Sequence, residues 1–258
     1  MTPRVQYDND KDKSLDRSGV AYAAIFIAVK RLLLMMFGYL SLKFLLTTYP
    51  SPIRIVEHLP MWAALVIGLL WSDFINYWVH RSEHWSDFLW EFHKVHHASE
   101  RMTVLAAART HVFSFYVLVQ GGHVAAAWLI GLPAEALLVI EVFDVVFAGV
   151  WAHANIDFPK HRMPWWGYVL ATPNIHGTHH GLDSRCNYGQ VFVLWDFLFG
   201  TYRPVDRAFI YGIGDSTYTN SNLWWQQVEP FIGAFNVLKR SVRRIGRPIA
   251  SDVPQTRV

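Results

Sequence analysis

Two copies of one histidine pattern limit what this chain can fold into, because any stable fold must gather them around something. They are His93-Lys94-Val95-His96-His97 and His176-Gly177-Thr178-His179-His180, each His-x-x-His-His. On a helix, positions i, i+3 and i+4 share a face, so the three rings of each copy are expected to converge on one site. His80 and His84 form an i, i+4 pair ahead of the first copy, and His153 stands between the copies. Nine clustered imidazoles exceed what one ion uses, so the spacing asks for two. Imidazole suits iron, zinc, copper and nickel alike, so ligand type does not name the metal. The only cysteine is Cys186, which excludes a thiolate-rich zinc or iron–sulfur site and an intramolecular disulfide.

The apolar runs decide where such a site would sit. Charged residues make up 17% of the chain, against roughly 25% in soluble domains. Val112 to Ile130 is 19 residues without a charge, about 28 Å of helix and long enough to cross a bilayer. Gly131-Leu132-Pro133 breaks the run, and Ala134 to Val150 follows as the partner of a tight helical hairpin. Met61 to Val79 is a further span that ends at His80. Residues 20–48 form an N-terminal membrane segment interrupted by Lys30 and Arg31. There, Leu32 to Thr48 is expected to cross with Lys43 snorkelling, a re-entrant helical hairpin being the competing reading. Twelve tryptophans, many beside these runs, fit interfacial belts, and the charged N-terminus does not resemble a cleavable signal peptide.

Basic residues set the orientation. Arg4, Lys11, Lys13, Arg17, Lys30 and Arg31 precede the first crossing, and Arg81, Lys94, Arg101 and Arg109 lie between the second and third. Four crossings then place both termini and every histidine cluster on the cytoplasmic face. The expectation is an all-α integral membrane protein, a single domain of residues 1–258, with four transmembrane helices under a cytoplasmic helical cap that holds a dimetal site. Residues 238–258 form a basic tail, read equally as solvated or as touching anionic headgroups.

Asp73, Tyr77, His80 and His84 fall on one helical stripe, and an acid inside a span usually faces a partner or polar cavity. Asp73 is therefore read as fixing a histidine ring or lining the cavity. In the hairpin, a turn centred on Leu132 puts residues whose numbers sum to 264 at equal depth. That pairs His123 with Glu141, Gln120 with Asp144 and His111 with His153, making His111 a candidate neighbour of the metals or a spare ligand.

With these residues in place, the chain resembles the fatty acid hydroxylase and sterol desaturase superfamily. The resemblance is carried by Asp73-x3-Tyr77-x2-His80-Arg81-x2-His84, His-x-x-His-His, His153-x-Asn155, and Thr172-Pro173-x2-His176-x2-His179-His180. Asn187-Tyr188-Gly189 and Trp195-Asp196-x2-Phe199-Gly200-Thr201 complete it, over residues 65–204. It implies a membrane enzyme with two non-haem irons that uses dioxygen and two electrons to hydroxylate or desaturate a lipid C–H bond. The implied ligands are His80, His84, His93, His96, His97, His153, His176, His179 and His180. Asn155 and Asp157 are weaker candidates for a tenth position, and Asn187 a candidate for orienting a ligand or the substrate channel. The chain departs from many bacterial members at Arg109-Thr110-His111-Val112, where a proline would follow the histidine.

No flavin or nicotinamide fingerprint is present, so electrons are expected from an external carrier, a ferredoxin or a b-type cytochrome, docked on a basic rim. Nothing points to nucleic acid. Two rival readings are a histidine-rich metal transporter, which would spread its ligands along a path, and a zinc hydrolase, which would carry His-Glu-x-x-His.

Overall fold

The computed structural model describes residues 17–156, 158, 165–204, 210–215, 218 and 222–245, and these are helical with no strand; only two isolated bridges occur, Leu170 to Phe192 and Gly181 to Tyr211. In chain order the helices are α1 (Arg17–Thr48), α2 (Met61–Trp85), α3 (Asp87–His97), α4 (Gly121–Ile130), α5 (Ala134–Asp144), α6 (Pro173–His179), α7 (Leu194–Leu198) and α8 (Leu223–Ile245). A π-helical stretch, Phe113–Gln120, leads into α4, and a second, Val145–Trp151, continues α5.

Two of these helices are long and apolar enough to cross a membrane, Met61–Trp85 and Phe113–Ile130. α1 is one continuous helix, so the re-entrant hairpin considered for residues 20–48 does not form. The turn expected at Gly131-Leu132-Pro133 is present. Gly131 sits at φ +73 as the left-handed end of α4, and Pro133 precedes α5 with its fixed extended geometry. Leu132, Ala127, Leu137 and Ile140 pack there against Leu42 of α1 and Ala64 of α2, the main apolar cluster of the molecule.

The polar side chains of the hairpin pair differently from the equal-depth expectation. Gln120 Nε2 donates to Glu141, and His123 Nε2 faces Asp144 Oδ2 at 3.9 Å, beyond hydrogen-bond reach. Both pairings are diagonal, the number sums being 261 and 267, on either side of 264. Equal depth fixes height along a helix and leaves azimuth open.

Local chemistry explains the remaining elements. Ser86 separates α2 from α3 and caps α3 through Leu89 N–H, while Thr172 caps α6 through Ile175 N–H with Pro173 in the first turn. α8 lies across α3, where Lys94 pairs with Glu91 and with Glu229.

Candidate metal centre

The structure gathers all nine histidines named from the sequence. His80, His84, His93, His97 and His179 form one group, and His96, His153, His176 and His180 a second, the ligand atoms within each lying within 4.8 Å of one another. α2 brings His80 and His84, α3 brings the first triplet, α6 with its C-terminal residue brings the second, and His153 follows the second π stretch.

The expectation that each triplet converges on one site is corrected. His93 and His97 join the first group while His96 joins the second, and His176 and His180 join the second while His179 joins the first. Helix geometry gives the reason. At 3.6 residues per turn, positions i and i+4 diverge by about 40°, whereas i+3 points about 60° to the other side. Each His-x-x-His-His thus reaches both groups and ties them together.

Backbone carbonyls select the ring tautomers. His80 Nδ1 donates to Tyr188 O at 2.8 Å, His179 Nδ1 to Cys186 O at 2.8 Å, His153 Nδ1 to Ala148 O at 3.0 Å, and His96 Nδ1 to Arg109 O at 3.2 Å. A carbonyl only accepts, so each of these rings carries its proton on Nδ1 and presents a bare Nε2. His93 Nδ1 lies 3.1 Å from Glu83 Oε2, whose other oxygen accepts from Ser114. Glu83 is buried and was not singled out in the sequence, although its place between His80 and His84 on the same helix was the available signal.

These tautomers test whether a cation fits. His96 and His153 turn their Nε2 atoms to each other at 3.3 Å, each bearing a lone pair and neither a proton. Burial holds His96 well below the ordinary histidine range, lowers His153 to about 4 and lowers His179 to about 3. The rings are neutral near pH 7. Two lone pairs facing at that distance repel unless a positive ion lies between or beside them. Similar approaches join His153 to His176 at 3.2 Å, His176 to His180 at 3.1 Å and His97 to His179 at 3.1 Å. His84 Nε2 and His93 Nε2 are buried with no partner among the described residues. The donor set fits a pair of divalent transition-metal ions held by neutral imidazole.

Other candidates serve the scaffold. Asp73 bonds no histidine ring: it accepts from the backbone N–H groups of Val191 and Phe192 and from Trp195 Nε1, tying α2 to α7 and the segment before it. Tyr77 bonds Thr201 and receives Arg81. Asp196 accepts from the backbone N–H groups of Tyr188 and Gly189 and from the Thr201 hydroxyl. Asn187 stands at φ +53, its side chain bridging Ile175 O, Arg203 O and Arg203 N–H. The turn it shapes presents Cys186 O and Tyr188 O to His179 and His80, so Asn187 orients two rings through its neighbours' carbonyls.

His111 is not a spare ligand. Its Nε2 donates to Gln227 O at 3.0 Å, its Nδ1 accepts from Phe113 N–H, and its ring packs against Phe92 and Phe231. Asn155 is half-buried, and Asp157 lies outside the described residues. Lys94 is half-buried and paired with Glu91 and Glu229.

A cavity of about 110 Å³ opens from the histidines into the hairpin. Its histidine end is lined by His80, His93, His96, His153 and His176, and Val119, Val145, Ala148 and Gly149 line its walls between the two π stretches. The arrangement joins a buried, neutral, nitrogen-rich histidine cluster that could hold metal to a cavity lined in part by the membrane-length helices.

The sequence profile of a family described as fatty acid hydroxylase matches residues 65–201. Ornithine lipid hydroxylase OlsE of Rhizobium tropici is 30% identical over 175 residues, covering 67% of this chain and 51% of that protein. Alkylglycerol monooxygenase of Homo sapiens is 27% identical, with 59% of this chain and 33% of that protein covered. Methylsterol monooxygenase 1-3 of Arabidopsis thaliana is 27% identical, with 54% and 47% covered. The chain spans about half the length, or less, of these relatives. No solved structure matches it.

Proposed function

The chain belongs to the fatty acid hydroxylase family, and on that premise we propose that it is a membrane oxidoreductase that hydroxylates a C–H bond of a lipid at a non-haem di-iron centre. The observation that carries this reading is the convergence of nine histidines in two adjoining groups at the mouth of a cavity between membrane-length helices. Relatives named for ornithine lipid, alkylglycerol and methylsterol support a lipid substrate.

The overall reaction consumes one dioxygen, two electrons and two protons, giving the alcohol and one water. Bound iron supplies the redox chemistry that lets dioxygen attack an unactivated C–H bond. The protein's part is preparation. His80, His84, His93, His97 and His179 would hold one ion, and His96, His153, His176 and His180 the other, with Cys186 O, Tyr188 O, Ala148 O, Arg109 O and Glu83 fixing ring orientation. Asp196 holds the turn that carries Tyr188 O, and Asp73 holds the chain just after it. The apolar walls of the cavity admit a chain and exclude water from the reacting carbon. Desaturation would follow if a neighbouring C–H were presented as well.

The proposed topology is four crossings, α1, α2, the π stretch with α4, and α5 with its π continuation. Both termini and the histidine groups then face the cytoplasm as one domain. α8 is amphipathic, with Trp224, Phe235, Leu238 and Val242 exposed beside Lys239, Arg240 and Arg243, which suits a helix lying in the interface. Electrons would arrive from a ferredoxin or b-type cytochrome at that face. A transporter is disfavoured because the histidines collect at one place instead of along a path.

Comparative lipid mass spectrometry of a strain lacking the gene, with and without complementation, tests the reading. A lipid 16 Da heavier that appears only with the intact protein supports it. Unchanged lipids under oxygen and iron sufficiency would overturn it.

A further inference from the structure

The cavity's far end, inside the hairpin, carries charges that the metal chemistry leaves unused. Arg31, Gln120, His123, Glu141 and Asp144 line it, contributed by α1, α4 with its π lead-in, and α5. Glu141 is 5% exposed, its Oε1 accepting from Gln120 and its Oε2 without a partner among the described residues. Asp144 Oδ2 and His123 Nε2 are likewise buried and unpartnered. Burying such groups unsatisfied is costly, and cavities lined this way hold something that satisfies them.

The chemistry of that occupant follows from what is open. Glu141 and Asp144 lie three residues apart on one helix face, and Arg31 is within electrostatic reach of both. Arg31 supplies one guanidinium for two acids, so a second cation beside them would let both be ionised and matched. The open atoms are Glu141 Oε2 and Asp144 Oδ2, both acceptors when ionised, with His123 Nε2 3.9 Å from Asp144 Oδ2. A primary ammonium has three N–H donors and no acceptor. A carboxylate or phosphate ligand would meet two acids, and a hydroxyl would bring no charge to either of them.

We propose that this end of the cavity is a subsite for the ammonium group of an amine-bearing lipid, which presents a carbon further along the same molecule to the histidine groups. Asp144 precedes His153 by nine residues, across the π-helical stretch Val145–Trp151. The cavity is also lined by the apolar Val145, Ala148, Gly149, Phe115 and Val119, beside the polar Asn76 and Ser114. The subsite therefore takes an amine at one end and hydrocarbon beyond it, and it sets which carbon reaches the metals. The naming of the amine as part of the substrate rests on the oxygenase reading; the binding itself does not.

The test is equilibrium binding of radiolabelled dodecylamine, dodecanol and dodecanoate to the full-length, iron-loaded protein in neutral maltoside micelles, with empty micelles as baseline. Dodecylamine is expected to bind at least about tenfold tighter than the other two, the scale of one charge-assisted hydrogen bond. Glu141→Gln is expected to remove that preference while dodecanol binding and iron content stay as they were. Equal binding of amine and alcohol by the wild type would overturn the proposal with no variant needed. So would an amine preference retained by both Glu141→Gln and Asp144→Asn. Full iron content without amine preference would sink this subsite alone. Amine preference in protein that takes up no iron would sink the oxygenase reading alone.

Discussion

Glu83 Oε2 stands 3.1 Å from His93 Nδ1, and the other oxygen of the same carboxylate receives the Ser114 hydroxyl. One buried acid of α2 thereby connects a metal-facing ring of α3 to the π stretch that walls the cavity. Replacing Glu83 by Gln keeps the size and removes the charge that supports His93 as a ligand. Metal retention is expected to fall by roughly 10- to 100-fold, the usual consequence of losing such a partner. Iron remaining after a timed chelator challenge measures it, and retention equal to wild type would show that the carboxylate leaves the site unaffected.

The crossed assignment of the triplets makes two similar substitutions unequal. His96→Ala leaves three histidines in its group, whereas His179→Ala leaves four. Both variants are expected to lose product formation and still insert in membranes. His96→Ala is expected to drop to about one metal per chain, and His179→Ala to retain more than that at matched iron supply. Near-normal turnover in either variant, or the opposite order of metal loss, would count against the assignment.

Asn187 is the one described residue near the site whose backbone requires a left-handed conformation, at φ +53. Asparagine tolerates that region, and its amide also satisfies three buried backbone groups. Asn187→Leu should cost about 2 kcal/mol or more in stability and loosen Cys186 O and Tyr188 O from their rings. Asn187→Gly should restore the backbone but not the bridge, and so fall between the two. Thermal melting of the three proteins gives the order.

Acid should destabilise the metal-free protein in a defined window. His153 and His179 are held neutral by burial, titrating at about 4 and about 3, whereas the unfolded chain takes protons near 6.5. Above that value both states are neutral and the groups contribute nothing to the difference. As pH falls from about 6.5 toward 4, the unfolded state binds protons that the folded state refuses, so folding stability declines. Melting temperatures of metal-free protein at pH 7.5 and 5.5 check this, and an unchanged or higher value at pH 5.5 would contradict it.

The parts of this molecule legible in its sequence are those governed by local periodicity. The nine histidines, the break at Gly131-Leu132-Pro133 and the stripe from Asp73 to His84 all follow from spacing along one helix or turn. What was hidden depends on azimuth and on distant chain. The split of each triplet turns on about 100° between adjacent rings. The diagonal pairing of Gln120 with Glu141 depends on the azimuth of each side chain across the two helices. Asp73 looked like a partner for a ring because it shares a stripe with His80, yet its acceptors meet backbone more than a hundred residues away. His111 matched His153 in depth, but its position is decided by Gln227 on α8. Carbonyl partners such as Cys186 O carry no side-chain signal at all.

The central claim, that the histidines hold two irons, is tested most directly by metal stoichiometry. Protein expressed with iron, purified anaerobically and analysed for total metal with Mössbauer spectroscopy is expected to carry two irons per chain with the signature of a coupled pair. One metal per chain after full loading, or turnover supported by zinc alone, would contradict it.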